Sequence, residues 1–186
     1  MNDSRVAARY VKSLLGLAVE RGALEQVHAD MQLFTTTVTK SRELLLMLRS
    51  PIVRHEIKRK VLHQIFTGKV HELTFAIINI LTQKNREPLL PSIAREFHEA
   101  YNEYKGIGKA EVITTLAMDA TLRAEIDRMA RELSQKKTVE LHEKVDPELI
   151  GGFILNVGDQ QIDASIKSKL KTLKVKFNEN PYVKQF

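Results

Sequence analysis

Metal, nucleophile and phosphate chemistry each require particular side chains at particular spacings, and here those side chains are scattered. The six histidines are His28, His55, His63, His71, His98 and His142. They include no His-x3-His pair, and no cysteine is present to complete a zinc site or act as a thiol nucleophile. His55, His63 and His71 fall eight apart and could share a helical face, but a connection at Gly68 parts the last from the others. The histidines read as solvated polar positions. Gly106-Ile107-Gly108-Lys109 resembles a phosphate loop until its register is tested. A P-loop needs glycine at 103 and serine or threonine at 110, where the chain has Glu103 and Ala110. The segment also follows a helical pattern rather than a strand, so it reads as a linker. Gly151-Gly152 introduces a strand rather than a helix and is no dinucleotide fingerprint. Glu96, Glu99 and Glu103 decorate an amphipathic helix, while Asp159 and Asp163 bracket a turn and a helix start, where carboxylates cap N–H groups. No catalytic residue, metal ligand or cofactor is assigned, and no small-molecule substrate is expected.

Charge tells more than chemistry does. The net charge is +6, but it lies in blocks: residues 1–105 carry 16 Lys/Arg against 11 Asp/Glu, residues 106–163 carry 7 against 11, and residues 164–186 carry 6 against 1. Such blocks point to partners met through charged surfaces. Lys167, Lys169, Lys171, Lys174 and Lys176 form the best nucleic-acid candidate. They surround an apolar stripe, without interleaved aromatics and without arginine, so nucleic acid is not the expected partner. A basic adaptor binding RNA is the alternative reading, marked by a steep loss of RNA affinity with rising salt.

The first hundred residues read as helix after helix. Asp3 and Ser4 are N-cap types ahead of a stripe of Val6, Tyr10, Leu14 and Leu17, which Gly22 interrupts. Leu24, Val27, Met31, Phe34 and Val38 step by three and four. Ser41 can cap a short helix through Leu44–Leu48, ended by Ser50-Pro51 because the residue before proline is pushed out of helical geometry. Ile57, Val61 and Ile65 mark a fourth helix, Leu73–Leu81 a fifth, and Leu90, Ile93, Phe97, Tyr101 and Tyr104 a sixth. Short connections favour an antiparallel bundle. After Gly106 the period changes to two over Ala110, Val112, Thr114 and Leu116. Asp119 or Thr121 then opens a helix with Leu122, Ile126, Met129 and Leu133 on one face. Val139, Leu141 and Val145 form a second strand and Gly151–Val157 a third, with Ile162 a possible extension of the sheet. A final helix is striped by Ile166, Leu170, Leu173 and Phe177. The fold class is therefore α+β. Residues 1–105 form an N-terminal six-helix bundle, and residues 106–186 a small α+β domain ordered strand–helix–strand–strand–helix.

The fifth helix is apolar around most of its circumference, through Leu73, Phe75, Ala76, Ile77, Ile78, Ile80 and Leu81. It is either buried centrally or left open on one side for a helix from another chain. Nine residues are too few to span a bilayer, which needs about 20. Met1–Tyr10 has no signal-like apolar stretch, so any membrane association is expected to be peripheral.

The stretch Val139–Gly158 (VELHEKVDPELIGGFILNVG) resembles the signature of the delta subunit of F-type ATP synthases, the oligomycin-sensitivity-conferral protein of mitochondria. Ile150, Gly151, Gly152, Phe153 and Gly158 form its core, and the two adjacent glycines fall in register. Ala8-Arg9-Tyr10 with Leu14, Ser50-Pro51 with Lys58 and Leu62, and Asn85-Arg86 leading to Ile93 and Phe97 extend the likeness over the chain. Thr115-Leu116 departs from it, since the family more often has alanine in that strand. The resemblance implies a non-catalytic stator subunit acting in ATP synthesis and hydrogen ion transport. It implies that the N-terminal domain binds the N-terminal helix of a head alpha subunit between its first and fifth helices. Here those helices carry Tyr10, Leu14, Leu17, Ile77, Ile78 and Leu81. The C-terminal domain would bind the peripheral stalk b subunits. Peripheral attachment at the cytoplasmic face of a bacterial inner membrane is the expected location.

Overall fold

The computed structural model describes residues 2–178, with side chains from residue 5 onward. They fall into two compact units divided between Tyr104 and Lys105, one residue before the boundary read from the sequence.

The first unit contains α1 (Asn2–Glu20), α2 (Leu24–Lys40), α3 (Arg42–Arg49), α4 (His55–Phe66), α5 (Glu72–Gln83), a 3-10 turn (Glu87–Leu89) and α6 (Leu90–Lys105). The Asp3 and Ser4 side chains lie outside the described residues, and the helix already begins at Asn2. Phe34 and Phe66 stack at 5.4 Å in a core that also holds Leu48, Leu62, Ile78, Leu81, Ile93 and Phe97. Every residue of the predicted α2 stripe is buried. Ser41 caps α3 by accepting the Leu44 N–H, as its type and position predict.

Polar contacts fix how the helices meet. The buried carboxylate of Asp30 on α2 accepts the His71 N–H at 2.7 Å and the Thr74 hydroxyl at 2.8 Å, tying α2 to the start of α5. His55 and His142 are exposed, as the sequence suggests, but the other four histidines are not bystanders. His71 Nδ1 accepts the Leu73 N–H, His63 bonds Asn79 at 2.7 Å, and His28 lies 2.9 Å from His98 while stacking on Tyr101. Gly22 (φ +64) and Asn85 (φ +54) end α1 and α5 in left-handed caps of the Schellman type. In the first, Ala23 N–H reaches Ala18 O; in the second, Arg86 N–H reaches Leu81 O.

The second unit contains β1 (Ile107–Thr114), α7 (Ala120–Ser134), β2 (Thr138–Val145), β3 (Phe153–Val157), β4 (Gln160–Asp163) and α8 (Ile166–Asn178). Its sheet has order β2-β1-β3-β4. β1 and β2 pair in parallel, as the α7 crossover requires, and the β1–β3 and β3–β4 pairs are antiparallel. Ala110, Val112, Leu155 and Val157 on one face pack with Ile126 and Ala130 of α7. Ile162 does extend the sheet, in a fourth strand too short and polar to show as alternation and one more than the order read from the sequence counts. The start of the third strand is corrected. The third strand begins at Phe153, because Gly152 (φ +79) bends the chain just before it.

Asp119, the cap expected for α7, accepts the Leu122 N–H at 2.8 Å and the Thr121 hydroxyl at 2.9 Å. These bonds, the Leu122 N–H foremost, hold its pKa below the ordinary aspartate value. The Ser165 hydroxyl and N–H do the same for Asp163 before α8. A lowered folded pKa stabilises above the unfolded value of about 3.9 and is lost as pH falls through the folded value. Carboxyl NMR titration should therefore place both midpoints below the peptide value. Asp119→Asn and Asp163→Asn should each flatten the fall of Tm with acid, and an unchanged slope would rule the caps out as its source.

Candidate functional site

In α1 a 3.6-residue period lets two adjacent stripes coexist. The structure buries Ala7, Val11, Leu14 and Ala18, one position round from the stripe drawn through the larger side chains. The two small alanines let neighbouring helices approach α1 closely. Val6 and Tyr10 are left half-buried, and Leu17 is 44% exposed.

In α5 the buried face is Leu73, Thr74, Ile77, Ile78, Leu81 and Thr82. Its two threonines are satisfied inside the protein, Thr74 by Asp30 and Thr82 by its own Ile78 carbonyl at 2.6 Å. Of the expected groove residues, Leu14, Ile77, Ile78 and Leu81 are core side chains beneath the surface of the α1–α5 pair in the free chain. What can be touched is Tyr10 and Leu17 on α1 and Ile80 on α5, itself 44% exposed. Arg86 Nη1 donates to Tyr10 Oη at 3.0 Å, which joins the end of α5 to the accessible side of α1. The sequence counts Ile80 among the apolar side chains of α5 but does not separate it from the buried stripe; its offset from Ile77 by one helical turn on the flank of that stripe was the available signal.

The second unit presents the clearer surface. None of the thirteen residues of α8 is buried, although Ile166, Leu170, Leu173 and Phe177 repeat at helical spacing and Phe177 is 84% exposed. Five lysines flank the stripe and no acidic residue interrupts it. Such a helix is amphipathic, and the described residues bury none of its apolar stripe. The segment before β3 holds the start of α8. Ala164 N–H donates to Phe153 O and Ile166 N–H to Gly151 O, at 2.9 and 3.0 Å. Gly151 and Gly152 pass so close to Ala164–Ile166 that a Cβ on either would overlap it. Gly158 turns the β3–β4 hairpin at φ +57, and Phe153 packs partly buried against the core. Ile150 is exposed at φ +67, a left-handed conformation that is strained for a β-branched side chain. Sequence reasoning saw Ile150 only as part of a pattern.

Among the described residues, no three His, Asp or Glu side chains converge as a metal ion would need, and no helix is long and apolar enough to cross a membrane. What the fold places on view is apolar helix surface.

Comparisons with known proteins agree over nearly the whole chain. The family profile described as ATP synthase delta (OSCP) subunit matches residues 6–177. A protein of Cytophaga hutchinsonii named ATP synthase subunit delta is 39% identical over 179 residues, covering 96% of this chain and 97% of its own. The protein of that name from Amoebophilus asiaticus is 36% identical, covering 97% and 98%. A chain in the cryo-EM structure of the Toxoplasma gondii mitochondrial ATP synthase hexamer has the same fold, with TM-score 0.73 at 22% identity, covering 94% of this chain and 98% of that one.

Proposed function

This chain belongs to the ATP synthase delta (OSCP) subunit family, a non-catalytic component of that complex, and we propose that it acts as the stator link between catalytic head and peripheral stalk. In this reading the accessible surface of α1 and α5, with Tyr10, Leu17 and Ile80, takes the N-terminal helix of a head alpha subunit. The striped face of α8 takes the stalk b subunits. The complex then holds the chain peripherally at the cytoplasmic face of a bacterial inner membrane.

The observation that carries the reading is α8, an amphipathic helix with no buried side chain. A stator joint needs long-lived binding under torque, and apolar anchors in an interface of about 1,600 Å² can supply nanomolar affinity. The lysines around the stripe would set orientation and encounter rate more than strength.

Exposed anchors separate binding from folding. In the full chain, Leu17→Asp is expected to weaken binding of a peptide taken from the N-terminus of the head alpha chain. Leu170→Asp should likewise weaken binding of a fragment from the C-terminal end of the stalk b protein, each by roughly 10- to 100-fold. Neither should lower Tm appreciably, because neither side chain is buried in the free protein. Calorimetric titration decides: full affinity in either variant removes that surface from the proposed joint.

A further inference from the structure

A groove on another side of the first unit is not used by that reading. Between α4 and α5 lies a hollow of about 550 Å³ lined by Arg59, Lys60, His63, Gln64, Asn79 and Gln83. Asn79 also lines the next hollow, of about 340 Å³, whose walls include Val70, Phe75 and Ala76, with Glu72. The two hollows thus form one trough along α5. The His63–Asn79 hydrogen bond crosses it at 2.7 Å, and His63 rests edge-on against the Phe75 ring at 4.4 Å.

The trough is chemically polarised. At one end Arg59, Lys60, Gln64 and Gln83 are exposed and make no hydrogen bond or ion pair with any described residue. At the other end the half-buried Phe75 and Val70 offer apolar surface. We propose that this α4–α5 trough docks an acidic segment of another polypeptide, with an apolar side chain over Phe75 and carboxylates beside Arg59 and Lys60. Three carboxamides, Gln64, Asn79 and Gln83, suit the alternating donors and acceptors of a peptide backbone or amide side chains. The combined size lies within the range of clefts that enclose a ligand, and an apolar anchor beside a charged rim is how helices and short peptides are recognised. Nucleic acid fits less well, because half of the trough is apolar and a phosphate backbone offers no side chain to cover it.

The setting for the test, an assembled ATP synthase, rests on the family reading; the site itself does not. A photo-reactive benzoylphenylalanine is placed at Gln64 or Gln83 in the assembled complex, with a parallel probe at Ser13 on α1. After irradiation the linked segment is mapped by mass spectrometry. The expected result is one link to a net-acidic segment of another polypeptide, reduced by at least about tenfold in Arg59→Glu/Lys60→Glu and restored when acidic residues of that segment are changed to lysine. No link overturns the proposal, as does a link to lipid, to nucleic acid, to a second copy of this chain or to a segment without net negative charge. A yield indifferent to charge reversal overturns it equally. The Ser13 probe reports on the α1–α5 surface, so either site can fail while the other stands. Both reversed side chains are exposed, and an unchanged Tm confirms that the variant is folded.

Discussion

Gly152→Ala is expected to destabilise the second unit by roughly 3 kcal/mol, while Gly151→Ala next to it costs less than about 1 kcal/mol. Both positions are crowded, but by different things. A Cβ at Gly152 would stand 2.4 Å from the Ala164 carbonyl oxygen and 3.0 Å from Ser165 Cα. That backbone cannot retreat, because hydrogen bonds on either side of it, Ala164 N–H to Phe153 O and Ile166 N–H to Gly151 O, hold it against the sheet. The φ of +79 adds left-handed strain that alanine bears and glycine does not. At Gly151 the nearest atom is Ile166 Cδ1 at 2.6 Å, the far end of an exposed side chain that can change rotamer. Denaturant unfolding followed by circular dichroism would show the difference as a shift in midpoint. Equal stability of the two variants would mean that the chain leading into α8 does not lie where these contacts put it. Because the same contacts aim the first turn of α8, Gly152→Ala should also weaken the proposed binding of the stalk fragment beyond its effect on stability.

The sequence was legible where one physical cause dominated. In α2 the spacing of Leu24, Val27, Met31, Phe34 and Val38 named the buried face, since no competing apolar stripe exists there. Ser41 and Asp119 announced helix starts because their side chains bond backbone N–H groups locally, with no help from tertiary structure. In α1 two stripes competed, and close packing of the small Ala7 and Ala18 prevailed over the larger Tyr10 and Leu17. Periodicity says which face is apolar but not what covers it. The stripe of α5 is buried by its own bundle and that of α8 is left unburied by the described residues, although the two look alike as sequence. Partnering by tertiary contact was equally invisible. His63 reads as a solvated position until Asn79, sixteen residues away, is folded against it.

Lys58 and Glu87 are the extreme case, since charged residues are presumed exposed and these are 4% and 2% accessible. Lys58 Nζ donates to the Leu48 carbonyl, in the last turn of α3, at 3.1 Å and stands 3.8 Å from Glu87 Oε2. Glu87 Oε1 has no hydrogen-bond partner among the described residues. The pair pins the end of α3 and the start of α4 to the 3-10 turn that leads into α6. Removing one partner strands the other charge in the interior, which costs about 3–5 kcal/mol. Lys58→Met should be the worse single change, because it leaves a carboxylate with neither counter-ion nor donor and also uncaps α3. Glu87→Leu leaves an ammonium that still has the Leu48 carbonyl. The double variant Lys58→Met/Glu87→Leu removes both desolvation penalties and should recover to within about 1–2 kcal/mol of the parent, the residue of the deficit being the lost bond to Leu48. Urea unfolding of the four proteins forms a double-mutant cycle in which the expected coupling is several times the value of an exposed ion pair. Additive losses would show that Lys58 and Glu87 are held by separate contacts, and that the corner between α3, α4 and the 3-10 turn is secured by its apolar packing alone.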